Sequence, residues 1–327
     1  MVATVTSEAI AIPGIAATDV DASIAASRAY DVAIWSAGYE QRSTWLVKSG
    51  FKPSNVLRWL RVEYEEDRTC FSGPDNLNVK VGDLFGNEIG KRYWDGHWLK
   101  AWRALYRSTA EQLGRRIDAF VDISSMPRTV YGTALLAALR FERQSINSIT
   151  ICYVPGIYGP GISGSRRLDG LRSLIGTEGI SLLDRDPAFV LGLGYDGILA
   201  RAVIDVFQVA HFSALVAAPG VTAEAEGQSL MANADLLARC ELVAGAPAMG
   251  IAAAYASFLR LADWYGGSRD VVLVPLGPKP HVVAAILAAM SRPEIALRWV
   301  LTGRFTPVDV AVPTGAIPYF FRLTCTS

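Results

Sequence analysis

The stretch Met126-Pro127-Arg128-Thr129, with the apolar run 130–139 behind it, returns without a gap as Gly277-Pro278-Lys279-Pro280 followed by 281–290. The offset is 151 residues (128 to 279), and Ala134-Leu135-Leu136-Ala137-Ala138-Leu139 then stands opposite Ala285-Ile286-Leu287-Ala288-Ala289-Met290. A second signature, Gly38-Tyr39-Glu40, matches Gly194-Tyr195-Asp196 at an offset of 156 (38 to 194), in both cases directly after an apolar run. One Ala/Leu helix matches another by chance. Two signatures at nearly one offset, each at the same place in a strand–loop–helix unit, point to an internal duplication.

Within each repeat, short apolar runs alternate with segments of helical period, the pattern of a mostly parallel sheet with helices on its faces. Strands are expected at 31–36, 56–62, 79–81, 119–123 and 148–154, with helices at 42–50, 92–115 and 129–143. After a Gly/Pro-rich stretch the pattern restarts, with strands at 189–193, 213–218, 270–274, 297–302 and 319–323 and helices at 198–210, 224–239, 250–265 and 281–290. The expected fold is therefore α/β, two tandem Rossmann-like βα lobes with mostly parallel sheets. Residues 1–30 read as an arm or edge strand, 31–155 as the first lobe, 156–187 as a linker with one embedded helical turn, and 188–327 as the second lobe.

Lys+Arg and Asp+Glu balance at 31 each, so no global field draws the chain to a nucleic-acid polymer or an anionic membrane. Cys70, Cys152, Cys240 and Cys325 are widely spaced, and with only His97, His211 and His281 beside them no metal-ligand spacing is present. Dispersed thiols suit a reducing compartment. The first basic residue, Arg28, follows Glu8, Asp19 and Asp21, unlike the opening of a secretory signal. The longest uncharged runs are broken by Pro and Gly, so no membrane span and a cytoplasmic location are expected.

Gly192-x-Gly194-x-x-Gly197 follows a strand and opens a helix, the setting of a dinucleotide fingerprint. The next strand ends Val216-Ala217-Ala218-Pro219-Gly220, with no carboxylate for a ribose, and only the middle glycine recurs in the first half, as Gly38. A tight strand-to-helix turn explains the glycines equally, and no cofactor is implied. What both halves keep is glycine, tyrosine and an acid at a strand's C-terminal end, where open α/β sheets bind ligands. The first half adds Arg42 and Ser43. A macrodipole explains an acid such as Glu40 at a helix start, but an arginine there calls for an anion facing it.

The segment Asp122-Ile123-Ser124-Ser125-Met126-Pro127-Arg128 ends a buried strand in a carboxylate, two hydroxyls and an arginine. Ser124, Ser125 and the amides of the next helix form a cradle for phosphate, with Arg128 forking onto its oxygens. The bland reading is a serine cap with a solvated arginine. The second half keeps the cation Lys279 and Gly277 but loses the acid and the hydroxyls. Trp94, Trp98 and Trp102 recur every fourth residue, a stripe that reads as core or interface rather than as a base-stacking platform.

At 122–139 and 274–290 the pattern resembles the CRISPR-associated Rossmann-fold (CARF) ligand-sensing domains and the related paired SAVED sensors. In those families a strand ends in a short polar or glycine-containing loop with Lys or Arg before an apolar helix, and cyclic oligonucleotides bind above the strand ends. The resemblance implies that Ser124, Ser125 and Arg128, and Gly277 and Lys279, take the loop positions, and it implies a sensor linked to prokaryotic antiviral defence. The Gly-Gly-Thr-Lys-like core of such domains is absent here.

The expectation is a protein that binds or senses a nucleotide or another phosphate-bearing small molecule. Gly38, Tyr39, Arg42, Ser43, Ser124, Ser125, Arg128, Gly194, Tyr195, Gly277 and Lys279 form its site in a crevice of two lobes, with Tyr39 stacking on a base or sugar. The alternative is a hydrolase of nucleotides or nucleosides, or a glycosyl-bond-cleaving enzyme, in which Glu40 or Asp122 acts as general base or stabilises a developing cation. A homo-oligomeric or effector-protein partner stays open.

Overall fold

The computed structural model describes residues 10–36, 40–48, 56–62, 88–90, 95–157, 167–180, 185–302 and 310–326. The expected strand at 79–81, Cys70, Trp94, Gly38 and Tyr39 lie outside them. Among the described residues the strands form two sheets, one in each of two compact units.

The first unit runs β1 (Ile15–Val20), α1 (Ala22–Ser27), β2 (Tyr30–Ser36), a 3-10 turn at Gln41–Ser43, α2 (Trp45–Lys48), β3 (Val56–Val62), β4 (Glu88–Gly90), α3 (Asp95–Leu113), β5 (Ile117–Asp122), α4 (Arg128–Leu136) and β6 (Ile146–Tyr153). Its sheet is completed by β13 (Tyr319–Cys325), from the far end of the chain. The strand order is β1-β13-β6-β5-β2-β3-β4, parallel from β6 to β4 and antiparallel at β13 and β1.

The second unit contains β7 (Leu168–Ser173), β8 (Pro187–Gly192), α5 (Gly197–Val206), β9 (His211–Ala217), α6 (Ala223–Ala232), α7 (Ala234–Arg239), β10 (Val243–Ala246), α8 (Ile251–Trp264), β11 (Asp270–Pro275), α9 (Lys279–Ser291) and β12 (Ile295–Thr302). Its order is β10-β9-β8-β11-β12-β7, with β7 antiparallel to β12.

When the parallel strands of each unit are counted 1 to 5 in chain order, both sheets read 3-2-1-4-5 with one antiparallel strand beside strand 5. The duplication thus holds at the level of topology. Arg128 and Lys279 are each the first helical residue after strand 4, and Pro127 and Pro278 each stand at the N-cap.

Two boundaries differ from the sequence reading. The stretch 319–323 does not close the second lobe, because β13 lies between β6 and β1 of the first sheet. The segment read as a linker with a helical turn supplies β7, and its described residues contain no helix. In both cases the open edge of a fifth strand presents unpaired N–H and C=O groups, and a distant stretch of chain satisfies them. Local sequence carries no record of which edge a strand will reach.

The cores follow from strand alternation. On one face of the first sheet Ala33, Phe120, Cys152 and Phe320 pack with Ala25 of α1 and Leu46 of α2. Residues of the opposite parity, including Val32, Ala119, Val121, Ile149 and Ile151, are fully buried on the other face. The tryptophan stripe is core: Trp98 and Trp102 are buried and stack with ring centroids 5.4 Å apart. Burial also raises the Tyr106 hydroxyl above its ordinary range. In the second unit Phe189, Leu191 and Leu193 meet Leu199, Val203 and Ile204 of α5 and Leu236 of α7. Helix α9 is apolar on every side, and residues 280–289 are all buried, as a helix without a polar face must be.

Candidate functional site

In a 3-2-1-4-5 sheet the connections leave strands 1 and 4 in opposite directions, and a crevice opens between their C-terminal ends. This switch point lies between β2 and β5 in the first unit and between β8 and β11 in the second. Among the described residues, every site residue picked from sequence falls at the end of one of these four strands or in or just after the loop that follows it.

In the first unit the loop after β2 carries Glu40, Arg42, Ser43 and Thr44; Gly38 and Tyr39 of the same loop are outside the described residues. Arg42, Ser43 and Thr44 are buried. The Arg42 guanidinium is 1% exposed and forms an ion pair through Nε with Glu40, itself 14% exposed. The anion that an arginine at this position calls for is thus supplied by the chain two residues earlier. Beyond Arg42 lies Gly156, from the loop after β6: a Cβ there would collide with Val310 and come within 2.9 Å of Arg42 Nη1. Gly156 and Val310 are missed by the sequence reading, which places the first in a linker. The signal present was a glycine three residues past a mostly buried strand.

The loop after β5 is organised around Asp122, which is 4% exposed. Its carboxylate accepts the backbone N–H of Ser124 at 2.9 Å and also the Ser124 hydroxyl. The same hydroxyl oxygen accepts the N–H of Val154 at 2.8 Å. Ser124 therefore ties the end of strand 4 to the end of strand 5, a structural task that occupies its donor. Burial, and then the nearby Asp122 charge, push the Cys152 thiol well above its usual range. Ser125 and Arg128 are half-buried and flank the start of α4. Pro127 brings no capping side chain; its carbonyl accepts from Val130 and Tyr131 at 3.0 and 3.2 Å. The N–H groups of Arg128 and Thr129 precede the point where the helix's own ladder begins.

The second switch point is built differently. Gly194 and Gly277 sit against each other: a Cβ on Gly194 would come within 2.7 Å of the Leu276 carbonyl, and one on Gly277 within 2.8 Å of the Leu193 carbonyl. Leu193 and Leu276 are buried, and the Leu276 N–H donates to Gly192 at 2.7 Å. A Cβ on Gly197 would collide with the Ala232 carbonyl at the end of α6. The glycine fingerprint thus answers to backbone packing. Asp196 caps α5 by accepting the Leu199 N–H at 3.0 Å, which places a carboxylate where a pyrophosphate would have to sit. Helix α9 opens Lys279-Pro280, and the proline removes one of its first donors. Tyr195 and Lys279 are half-buried beside these loops.

No protein-family model and no curated protein sequence matches this chain. Among solved structures it aligns with the UDP-GlcNAc 2-epimerase from Neisseria meningitidis bound to UDP-GlcNAc, at 8% identity over 78% of this chain and 85% of the other, with a TM-score of 0.24. It also aligns with a short chain dehydrogenase from Mycobacterium smegmatis, at 12% identity over 90% and 99% of the two chains, again with a TM-score of 0.24. Likeness at this level decides nothing about ligands, so the functional reading rests on the side chains themselves. Among the described residues no helix is long and apolar enough to cross a membrane.

Proposed function

We propose that the first unit binds a phosphate-bearing small molecule, most simply a nucleotide, above the C-terminal ends of β2 and β5. The observation that carries this reading is the contrast between the switch points. Where the second is filled by leucines and close backbone and presents the Asp196 carboxylate, the first presents Arg128, Ser125 and the opening N–H groups of α4. An arginine in the first turn opposes the helix dipole by about 0.3–1 kcal/mol, and a phosphate there reverses the sign. The second unit is on this account a supporting lobe. Asp122 and Glu40 both hold partners within the chain, Ser124 and Arg42, which favours binding over general-base chemistry. Sensing of a cyclic oligonucleotide in antiviral defence is the finer form of the proposal, supported by the resemblance of 122–139 and 274–290 to CARF and SAVED domains.

The test is a calorimetric titration of nucleotides into wild type, Arg128→Ala and Lys279→Ala. Loss of Arg128 should weaken binding tenfold or more, about 1.4 kcal/mol, while loss of Lys279 costs less. Mass spectrometry of small molecules released from the purified protein identifies the ligand. Binding indifferent to Arg128→Ala would remove the proposed site.

A further inference from the structure

Arg42 connects the candidate site to a second feature. The polypeptide leaves the first unit after β6 and returns to it before β13, with β7–β12 in between. At this place the two crossings are stapled together: Ile157 and Ala311 form an isolated antiparallel bridge, the Ile157 N–H donating to the Ala311 carbonyl at 2.8 Å. One residue away on each strand stand Gly156 and Val310: a Cβ on Gly156 would collide with Val310 and come within 2.9 Å of Arg42 Nη1, so Gly156 lies close against both. Val310 is 2% exposed.

We propose that the Glu40–Arg42 ion pair is a latch that couples anion occupancy of the first switch point to the Ile157–Ala311 staple. This rests on the reading of that site as a phosphate site. Glu40 is the more exposed partner and holds Arg42 through Nε. A phosphate arriving at the loop after β2 brings a second negative charge beside Glu40 and competes with it for one guanidinium, whose planar fork must turn to serve the newcomer. Gly156 lies against both that fork and Val310, so turning the fork displaces Gly156 and with it Val310, and the bridge next to them opens. Close-packed contacts of this kind switch between arrangements rather than yielding gradually.

Hydrogen–deuterium exchange on the full chain, with inorganic pyrophosphate as probe, tests the coupling. Wild type should show protection of the fragment 123–131 and at least tenfold faster exchange in the fragments containing Ile157 and 310–312. In Val310→Ala, which leaves the ion pair and the α4 start intact but opens space beside Gly156, protection of 123–131 should persist and the acceleration at the staple should vanish. If Val310→Ala does not fold, Arg42→Lys, which keeps the charge and loses the fork, carries the same comparison at the staple. Protection of 123–131 with unchanged or slower exchange at the staple overturns the latch and leaves the site standing. An acceleration that survives in the variant also overturns the latch. No protection of 123–131 overturns both readings.

Discussion

His281, near the start of α9, is fully buried, and its Nε2 lies 2.9 Å from the Pro247 carbonyl, so Nε2 carries the hydrogen and donates. Burial, with this bond acting in the opposite direction, pushes its pKa down from 6.5 to about 4. Between those values the unfolded chain binds a proton that the folded chain refuses. The contribution is therefore complete above pH 6.5 and is lost as pH falls through the window to 4. A window of about 2.5 pH units at roughly 1.4 kcal/mol each corresponds to roughly 3–4 kcal/mol in full, of which about 3 kcal/mol is lost by pH 4.0. His281→Gln places a non-titrating donor near the same carbonyl. In urea titrations at pH 7.5, 6.0, 5.0 and 4.0, the stability difference between wild type and variant should move by about 3 kcal/mol in the variant's favour from the highest pH to the lowest. Carboxylates titrate alike in both proteins and cancel. The imidazole Cε1–H resonance should also hold its high-pH shift down to pH 5. Parallel stability profiles, or an imidazole that protonates near pH 6.5, would refute the reasoning.

Two glycines make a paired test of packing. Gly197→Ala must displace the Ala232 carbonyl and should lower stability by more than about 1 kcal/mol, whereas Gly227→Ala, exposed in α6 with nothing within 4 Å, should raise it by roughly 0.5–1 kcal/mol in the same denaturation assay. Ser124→Ala takes one donor from the Asp122 carboxylate, leaves the buried Val154 N–H without its acceptor and should cost about 1–3 kcal/mol by thermal or urea melting. Thr222→Ala removes the acceptor for the Ala225 N–H at the start of α6 and should cost about 1 kcal/mol, read as a lower urea midpoint.

The amino-acid sequence by itself determined the strand–helix alternation and the duplication. These depend on short-range periodicity and on chain order: an apolar strand such as 119–123 or 270–274 is read from its own residues, and the repeat from matching signatures along the chain. It also marked Arg42 as needing an anion and the tryptophan stripe as core or interface. Only the tertiary structure decided which partners those residues meet. Glu40 answers Arg42, Ser124 is spent on Asp122 and Val154, and the glycines of 192–197 serve close backbone contact, chiefly with residues 80 or more positions away (Leu276 and Gly277) or at the end of a neighbouring helix (Ala232). The same holds for β13 and β7, which complete open sheet edges far from their neighbours in the chain. Pattern within a window reports what a segment must bury. Which atoms come to lie against it is set by the closure of long loops and by volume, and neither is written in any single stretch of residues.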